Sequence, residues 1–233
     1  MTDVEVVPQA PSQPAPSQAA PAAPAAETNR ERVSRRQVDK FAERRAQLAD
    51  AALQTLAELG YARTSLREIA QNTEFSHGVL HYYFSDKEDL ITHCVRQYEA
   101  ACVTRYDEIV AAASSAEELK REFSAAMAQT LRTDAPMHRL WYDLRNQSLF
   151  EESFRADVLE IDQRREEMIW RVISRYASLA GFSVALSPAA AYAVLDGLFQ
   201  QALLHHLAGD EGAAEVLRAN VVRVLDTLEV REP

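Results

Sequence analysis

The chain has 233 residues and a formal net charge of −10. Its residues are 47% hydrophobic and 26% charged, a composition typical of a globular protein with a buried core. No apolar run approaches the roughly 20 residues needed to cross a bilayer, so the sequence predicts no membrane span. Cys94 and Cys102 are too few and too close for a disulfide scaffold, and the start of the chain lacks a signal-peptide pattern; both observations favour a cytoplasmic protein.

Residues 8–26 contain only Pro, Ala, Gln and Ser, and six of the nine prolines lie there. Such a segment has almost no large apolar side chain to bury, so nothing offsets the entropy cost of ordering it. We therefore predict that residues 1–28 form a disordered tail with polyproline II character. A solubilising extension is the favoured role, and a ligand for a partner protein is the alternative.

The charge changes sign directly after this tail. Residues 29–45 carry seven basic and three acidic residues, whereas residues 93–233 carry 15 basic and 22 acidic residues. A basic arm on an otherwise acidic chain indicates an affinity for phosphates, although most charge runs are solvated helix faces. We assign this arm to residues 29–40.

From residue 41 onward the apolar pattern is helical, and no alternating strand of useful length interrupts it. The expected fold class is therefore all-α. Three glycines directly follow helical runs, at positions where a helix often ends with a residue in the left-handed conformation: Gly60, Gly181 and Gly209. Serine caps open several helices, with a glutamate three residues on or a proline directly after: Ser65 with Glu68, Ser85 with Glu88, Ser115 with Glu118, and Ser187 with Pro188. The predicted helices are 41–59, 65–72, 76–83, 86–112, 115–132, 135–149, 152–180, 188–208 and 212–228.

Two short helices joined by a tight turn lie within residues 64–91. The first begins at Ser65 and the second at Ser76, and each buries a few apolar residues. This arrangement predicts a helix-turn-helix, whose second helix can enter a major groove of DNA. Gly78 lies in the first turn of that helix, where glycine costs about 1 kcal/mol relative to alanine. Close approach of the helix backbone to DNA would explain it.

The segment over residues 41–92 resembles the DNA-binding domain of the TetR family of transcriptional regulators. The positions that carry the resemblance are Leu53, Leu56, Leu59, Gly60, Tyr61, Thr64, Ile69, Ala70, Ser76, Gly78, Leu80, Tyr82, Tyr83, Phe84 and the run 87–90. Two positions depart from the family pattern. Glu74 stands where the family usually has glycine in the turn, and His81 stands where it usually has tyrosine.

The resemblance implies how the segment contacts DNA. It places Ser76, His77, Gly78, His81 and Tyr82 on the groove-facing side of the recognition helix, while Phe84 is more consistent with the core. It also implies phosphate contacts at both ends of the unit and from the N-terminus of the first short helix: Thr64, Ser65, Tyr83 and Lys87. In some family members a basic arm reaches the minor groove, and Arg35 and Arg36 are the best candidates here. The alternative is a flexible basic linker that adds affinity without sequence selectivity.

Residues 93–233 form the second predicted domain, for effector binding and dimerisation. The helix at 188–208 is apolar almost all round, so more than one face must be buried. The resemblance implies a homodimer formed through a four-helix bundle, which we assign to helices 152–180 and 188–208. The alternative is a monomer in which this helix crosses a thick core.

The resemblance also implies a ligand pocket within the second domain. The candidate lining residues are Cys102, Tyr106, Phe123, Met127, Trp141, Tyr142, Arg145, Asn146, Met168 and Phe199. Trp141, Tyr142, Arg145 and Asn146 are least typical of a core, because they combine large rings with a charge and an amide. Arg145 could bind a carboxylate or phosphate of the effector; the alternative is an ion pair with Asp143, Glu151 or Glu152.

The sequence holds no phosphate-binding glycine loop and no hydrolase or zinc-protease motif, so we expect no catalytic residues, no metal site and no cofactor. The expected function is a DNA-binding transcriptional regulator. It would be a repressor that an unidentified small-molecule effector releases from a palindromic, double-stranded operator. Such a protein is cytoplasmic and associates with the nucleoid when it is bound to DNA. The alternative is a helical interaction module that recruits a protein partner through its Pro-rich tail and acidic C-terminal domain, with DNA binding secondary.

Overall fold

The computed structural model describes residues 29–228, and the tail predicted for residues 1–28 lies outside them. The described residues form ten α-helices, which confirms the all-α class. The helices are α1 (Asn29–Leu59), α2 (Leu66–Asn72), α3 (His77–Tyr83), α4 (Lys87–Cys102), α5 (Asp107–Ala112), α6 (Ala116–Thr133), α7 (Ala135–Gln147), α8 (Arg155–Ala180), α9 (Pro188–Leu207) and α10 (Ala213–Thr227). Across residues 29–228, no helix has the length and apolarity that crossing a membrane requires.

Local signals set most helix ends. The hydroxyls of Ser65, Ser115 and Ser187 accept hydrogen bonds from the backbone N–H three residues on, at 3.2–3.3 Å. The three glycines at helix ends have φ values of +77 to +90°, which side chains disfavour. The predicted cap at Ser85 is wrong, because the cap lies one residue later. There the Asp86 carboxylate, an acidic group at a positive helix end, accepts from the Asp89 N–H at 2.8 Å.

Two predicted boundaries are wrong. The first helix begins at Asn29 instead of residue 41, so the segment predicted as an arm is helical. No glycine or proline interrupts residues 29–59, and Arg, Glu, Gln and Lys favour a helix there. The predicted helix 86–112 is divided into α4 and α5 by a turn at residues 103–106. The Val103 carbonyl in that turn accepts from the guanidinium of Arg171 on α8, at 2.6 Å.

The chain forms two compact units, of which the first ends at Asp39 and the second begins at Lys40. Within the second unit, one core runs from α1 through α10 and includes the fully buried Leu56, Ile69, Leu80 and Leu90. Phe84 is 1% exposed, in agreement with its predicted place in the core. The predicted division between residues 92 and 93 falls inside α4 and inside this unit.

Candidate DNA-binding surface and ligand cavity

The helix-turn-helix is built from α2 and α3, which pack together through buried Leu66, Ile69 and Leu80. Ser76 opens α3, where its hydroxyl accepts from the Val79 N–H at 3.3 Å. Glu74 in the turn needs no glycine-like backbone, since no non-glycine residue between 29 and 228 has a positive φ. The departure from the family pattern at this position therefore adds no backbone strain.

One side of α3 faces away from the core. The side chains of Ser76, His77, His81 and Tyr82, with the backbone of Gly78, are all exposed on it. Tyr82 is 73% exposed. The Nε2 atoms of His77 and His81, one turn apart, are 3.1 Å from each other. This surface combines hydroxyl and imidazole groups that can donate to or accept from base edges and phosphates.

Gly78 has no packing role inside the protein. A Cβ built on it would meet no heavy atom of the described residues within 4 Å, and its φ is not positive. Neither backbone strain nor crowding therefore requires glycine at this helical position. The described residues therefore give no internal reason for glycine at this position, and a side chain added there would point into open space.

Three of the four predicted phosphate contacts are held by partners within the protein. Thr64 is 3% exposed and its hydroxyl donates to the Gly60 carbonyl at 2.6 Å, so this hydroxyl is not presented to DNA. The Lys87 ammonium lies 3.9 Å from the centre of the Tyr61 ring and donates to the Tyr61 carbonyl at 3.3 Å. The Ser65 hydroxyl donates to the Glu68 carboxylate at 2.9 Å. These contacts order the loop between α1 and α2.

The remaining residues predicted to contact DNA are Tyr83 and the pair Arg35 and Arg36. Tyr83 is half-buried, and its ring centre lies 4.8 Å from that of Phe41 on α1. Arg35 and Arg36 lie on α1, and both are exposed.

A small cavity of about 40 Å³ lies among residues of α4, α6, α7, α8, α9 and the turn before α5. Six of the predicted residues line it: Cys102, Tyr106, Met127, Tyr142, Met168 and Phe199. The sequence prediction missed the rest of the lining, which consists of Arg105, His138, Arg165, Ile169, Tyr192, Leu195 and Asp196. Burial raises the pKa of Tyr106 to about 12, and burial with the nearby Asp196 raises that of Tyr142, so both hydroxyls stay protonated.

The other four predicted residues do not line this cavity. Phe123 is fully buried, and its ring centre lies 4.9 Å from that of Tyr106. Trp141 is 1% exposed and packs under the guanidinium of Arg165, 4.5 Å from its ring. Asn146 is exposed to solvent.

Arg145, the fourth of these residues, forms an ion pair with Asp196 at 2.6 Å and another with Asp162 at 3.3 Å. The alternative of an ion pair is therefore correct in kind, although its partners lie on α9 and α8 instead of nearby in sequence.

A buried ion pair joins α4 to α8 beside the cavity. The Arg165 guanidinium, 5% exposed, donates to both oxygens of the Glu99 carboxylate, which is 1% exposed; the Nε to Oε2 distance is 2.9 Å. Burial opposes the charged form of Arg165, but Glu99 outweighs it and raises the pKa of the guanidinium. The sequence offers one signal for Glu99: it lies one turn from Cys102 on a face otherwise apolar.

Polar groups without partners also face the cavity. His138 is 5% exposed, and neither ring nitrogen has a hydrogen-bond partner among residues 29–228. Burial, followed by the charges of Arg165 and Arg105, holds the pKa of His138 well below its usual value, so the ring is neutral. Arg105 binds Asp134 and the Tyr98 hydroxyl through Nη2, whereas its buried Nη1 has no partner in the described chain.

Two links join the end of α1 to the helices around the cavity. At the start of α4, Glu88 accepts from the Tyr61 hydroxyl at 3.0 Å. On α7, Asp143 accepts from the Tyr61 backbone N–H at 2.7 Å, and Arg139 donates to the Glu58 carbonyl at 3.0 Å. α7 therefore contacts both α1 and, through His138 and Tyr142, the cavity.

Comparisons with known proteins agree with this architecture. Residues 48–94 match the family described as "Bacterial regulatory proteins, tetR family". The HTH-type transcriptional regulator BetI of Burkholderia thailandensis is 33% identical over 161 residues, covering 66% of this chain and 75% of that protein.

Two solved structures are similar in fold. FadR from Bacillus subtilis in complex with stearoyl-CoA has a TM-score of 0.61 and 19% identity, covering 77% of this chain and 96% of that one. A transcriptional regulator from Saccharomonospora viridis in complex with choline has a TM-score of 0.62 and 18% identity, covering 82% and 100%. Together with the BetI relative and the helix-turn-helix, these findings show that the chain belongs to the TetR family of DNA-binding transcriptional regulators, which are not enzymes.

Proposed function

We propose that this regulator is a homodimeric, cytoplasmic repressor, and that a small molecule in the cavity releases it from a palindromic operator. The observation that carries the proposal is the position of α4 and α7. Both helices contact α1 and Tyr61 just after it, beside the helix-turn-helix, and both contribute residues to the cavity. A ligand that binds the non-DNA form more tightly than the DNA-competent form would then shift the equilibrium between them.

This coupling cannot run through one continuous helix. The predicted helix 86–112 would have linked the helix-turn-helix to Tyr106 as a single lever, but α4 ends at Cys102 and Tyr106 lies beyond it. α4 is attached to α1 along its length, since the Cys94 thiol donates to the Ala49 carbonyl at 3.2 Å and Gln97 donates to Asp50 at 2.6 Å. We propose that α1 and α4 move together when the ligand binds. We propose that α7 is a second connection through which the cavity is coupled to α1.

The exposed side of α3 supports the proposed DNA contacts of Ser76, His77, Gly78, His81 and Tyr82. Arg35 and Arg36 on α1 would add phosphate neutralisation, which makes affinity depend on salt.

Replacing Tyr82 with alanine should weaken operator binding by about 1–3 kcal/mol per half-site, because a hydroxyl contact and a ring contact are lost. The melting temperature should stay unchanged, since the side chain is 73% exposed. Fluorescence anisotropy with a genomic fragment selected by the purified protein measures the affinity. Tyr82→Phe is the matched control, which isolates the hydroxyl. Wild-type affinity of the alanine variant at matched salt would remove Tyr82 from the proposed surface.

Uncovered apolar residues on α9 support a second copy of this chain as the dimer partner. Val194, Leu204 and Leu207 are 42%, 69% and 46% exposed. The exposed face of α8 is instead mainly polar, with Gln163, Arg164, Glu167 and Arg171 on it. We therefore propose that α9 pairs across the two-fold axis with the help of α10, whose Val216 is 57% exposed, and not of α8.

Replacing Leu204 with glutamate should convert the dimer to a monomer, because two like charges would meet near the two-fold axis. Light scattering after size exclusion would show the mass falling by half, and operator affinity would fall with it. Leu159→Glu on α8 is the matched control, since Leu159 is 62% exposed and lies on the helix that the sequence assigned to the interface. A monomer from Leu159→Glu alone would restore the original assignment.

A further inference from the structure

We propose that the cavity binds a small apolar carboxylate, and that Arg105 and His138 donate hydrogen bonds to its carboxylate oxygens. This inference rests on the ligand-controlled function proposed above and names the chemical class of the ligand.

The first argument is the pair of donors without partners. His138 and Arg105 both line the cavity, and the two nitrogens of the imidazole and Nη1 of the guanidinium are buried without a hydrogen-bond partner among residues 29–228. A buried polar group without a hydrogen-bond partner destabilises the protein, and most buried polar groups in proteins therefore have one. A neutral imidazole supplies one N–H and the guanidinium supplies another. A carboxylate bound in the cavity that both residues line would accept from these two N–H donors, while the second imidazole nitrogen is an acceptor that it does not satisfy.

The second argument is the sign of the charge that the site prefers. Arg105 and Arg165 both line the cavity; each is paired with an acid, Asp134 and Glu99, but Nη1 of Arg105 keeps N–H groups without a partner among residues 29–228. The one carboxylate in the lining, Asp196, is engaged by Arg145 at 2.6 Å and by the Tyr142 hydroxyl at 2.8 Å. A cationic ligand would meet an acid that is already paired, whereas an anionic ligand would meet free donors.

The third argument concerns the rest of the ligand. Met127, Met168, Ile169, Leu195 and Phe199 complete an apolar lining suited to a hydrocarbon group. The cavity of about 40 Å³ holds little more than a water molecule, so a ligand must displace side chains. The two methionines have flexible, unbranched side chains that can move aside. A ligand that enlarges the cavity would also press on α7 and α4, as a release mechanism requires.

Binding of hexanoate, hexanamide and choline to the full-length dimer would test the class of ligand. We expect hexanoate to bind in isothermal titration and to lower operator affinity, and hexanamide and choline to bind about tenfold more weakly or worse. Preferential binding of choline or hexanamide, or binding of none of the three, would overturn the carboxylate proposal. Hexanoate binding without any change in operator affinity would support the ligand class and overturn the ligand-controlled release.

The variant His138→Leu tests the donor directly. It should raise the melting temperature, because an unsatisfied polar ring is replaced by an apolar side chain, and it should weaken hexanoate binding about tenfold. His93→Leu is the matched control, since His93 also has a buried ring nitrogen without a described partner but lies outside this cavity. Hexanoate binding by His138→Leu at wild-type strength would overturn the assignment of His138, whatever the change in stability.

Discussion

Replacing Arg165 with methionine should destabilise the fold by about 3–5 kcal/mol, because the Glu99 carboxylate would remain buried without its partner. Glu99 is 1% exposed on α4, and the guanidinium that neutralises it comes from α8, 66 residues later. Methionine fills much of the volume that arginine occupies above the Trp141 ring. Most of the loss of stability would therefore come from the unpaired Glu99 charge. Urea denaturation followed by circular dichroism would measure it.

The double variant Glu99→Met with Arg165→Met separates the charge from the packing. We expect it to recover most of the lost stability, since apolar residues of similar size often replace a buried ion pair without cost. A double variant as unstable as the single one would show that the pair itself is net stabilising. A loss of less than about 1 kcal/mol in Arg165→Met, the range of an exposed pair, would contradict the burial of Glu99.

Replacing Gly78 with alanine should move stability and function in opposite directions. Alanine in an exposed helix should stabilise the protein by about 0.5–1 kcal/mol, and the new Cβ meets no atom of the described chain within 4 Å. Operator affinity should nevertheless fall, by about 1–3 kcal/mol per half-site, because the methyl group would occupy the space in which DNA approaches the backbone. Thermal denaturation and anisotropy on the same preparation give the two values.

The expected gain in stability and loss of operator affinity make Gly78→Ala informative, because a structural role and a DNA-contact role predict different combinations. A loss of affinity together with a loss of stability would mean that Gly78 is needed for the fold of α3. A gain in stability with unchanged operator affinity would mean that DNA does not approach the helix at this point.

Local sequence signals predicted the helix-turn-helix well, because its determinants lie close together in the chain. The caps at Ser65 and Ser76 and the exposed side of α3 follow from spacings of three and four residues. The internal contacts of Thr64 and Lys87 were missed, since both depend on the conformation of the loop at residues 60–61.

The cavity was harder to predict, because neighbouring residues on a helix point in directions about 100° apart. Tyr142 lines the cavity and Trp141 does not, although both are large aromatic residues and adjacent in the sequence. Arg165 and His138 are polar side chains within the apolar faces of their helices. From the sequence pattern alone, polar residues are predicted to lie on the surface. Their burial depends on partners and neighbours from other helices, which no local spacing reveals.

Under the proposed ligand control, α7 carries the residues that would contact the ligand and the residues that hold the DNA-binding helices on two different faces. His138 and Tyr142 face the cavity, while Arg139 and Asp143, one position later in each case, hold the end of α1. Substitutions on the first face could change the ligand without disturbing the attachment to the DNA-binding helices. The second face is constrained instead by Gly60, where a Cβ would come within 3.0 Å of the Asp143 carboxylate. A lineage could thus acquire a new effector by altering one row of side chains on a 13-residue helix, and keep its output by conserving the adjacent row.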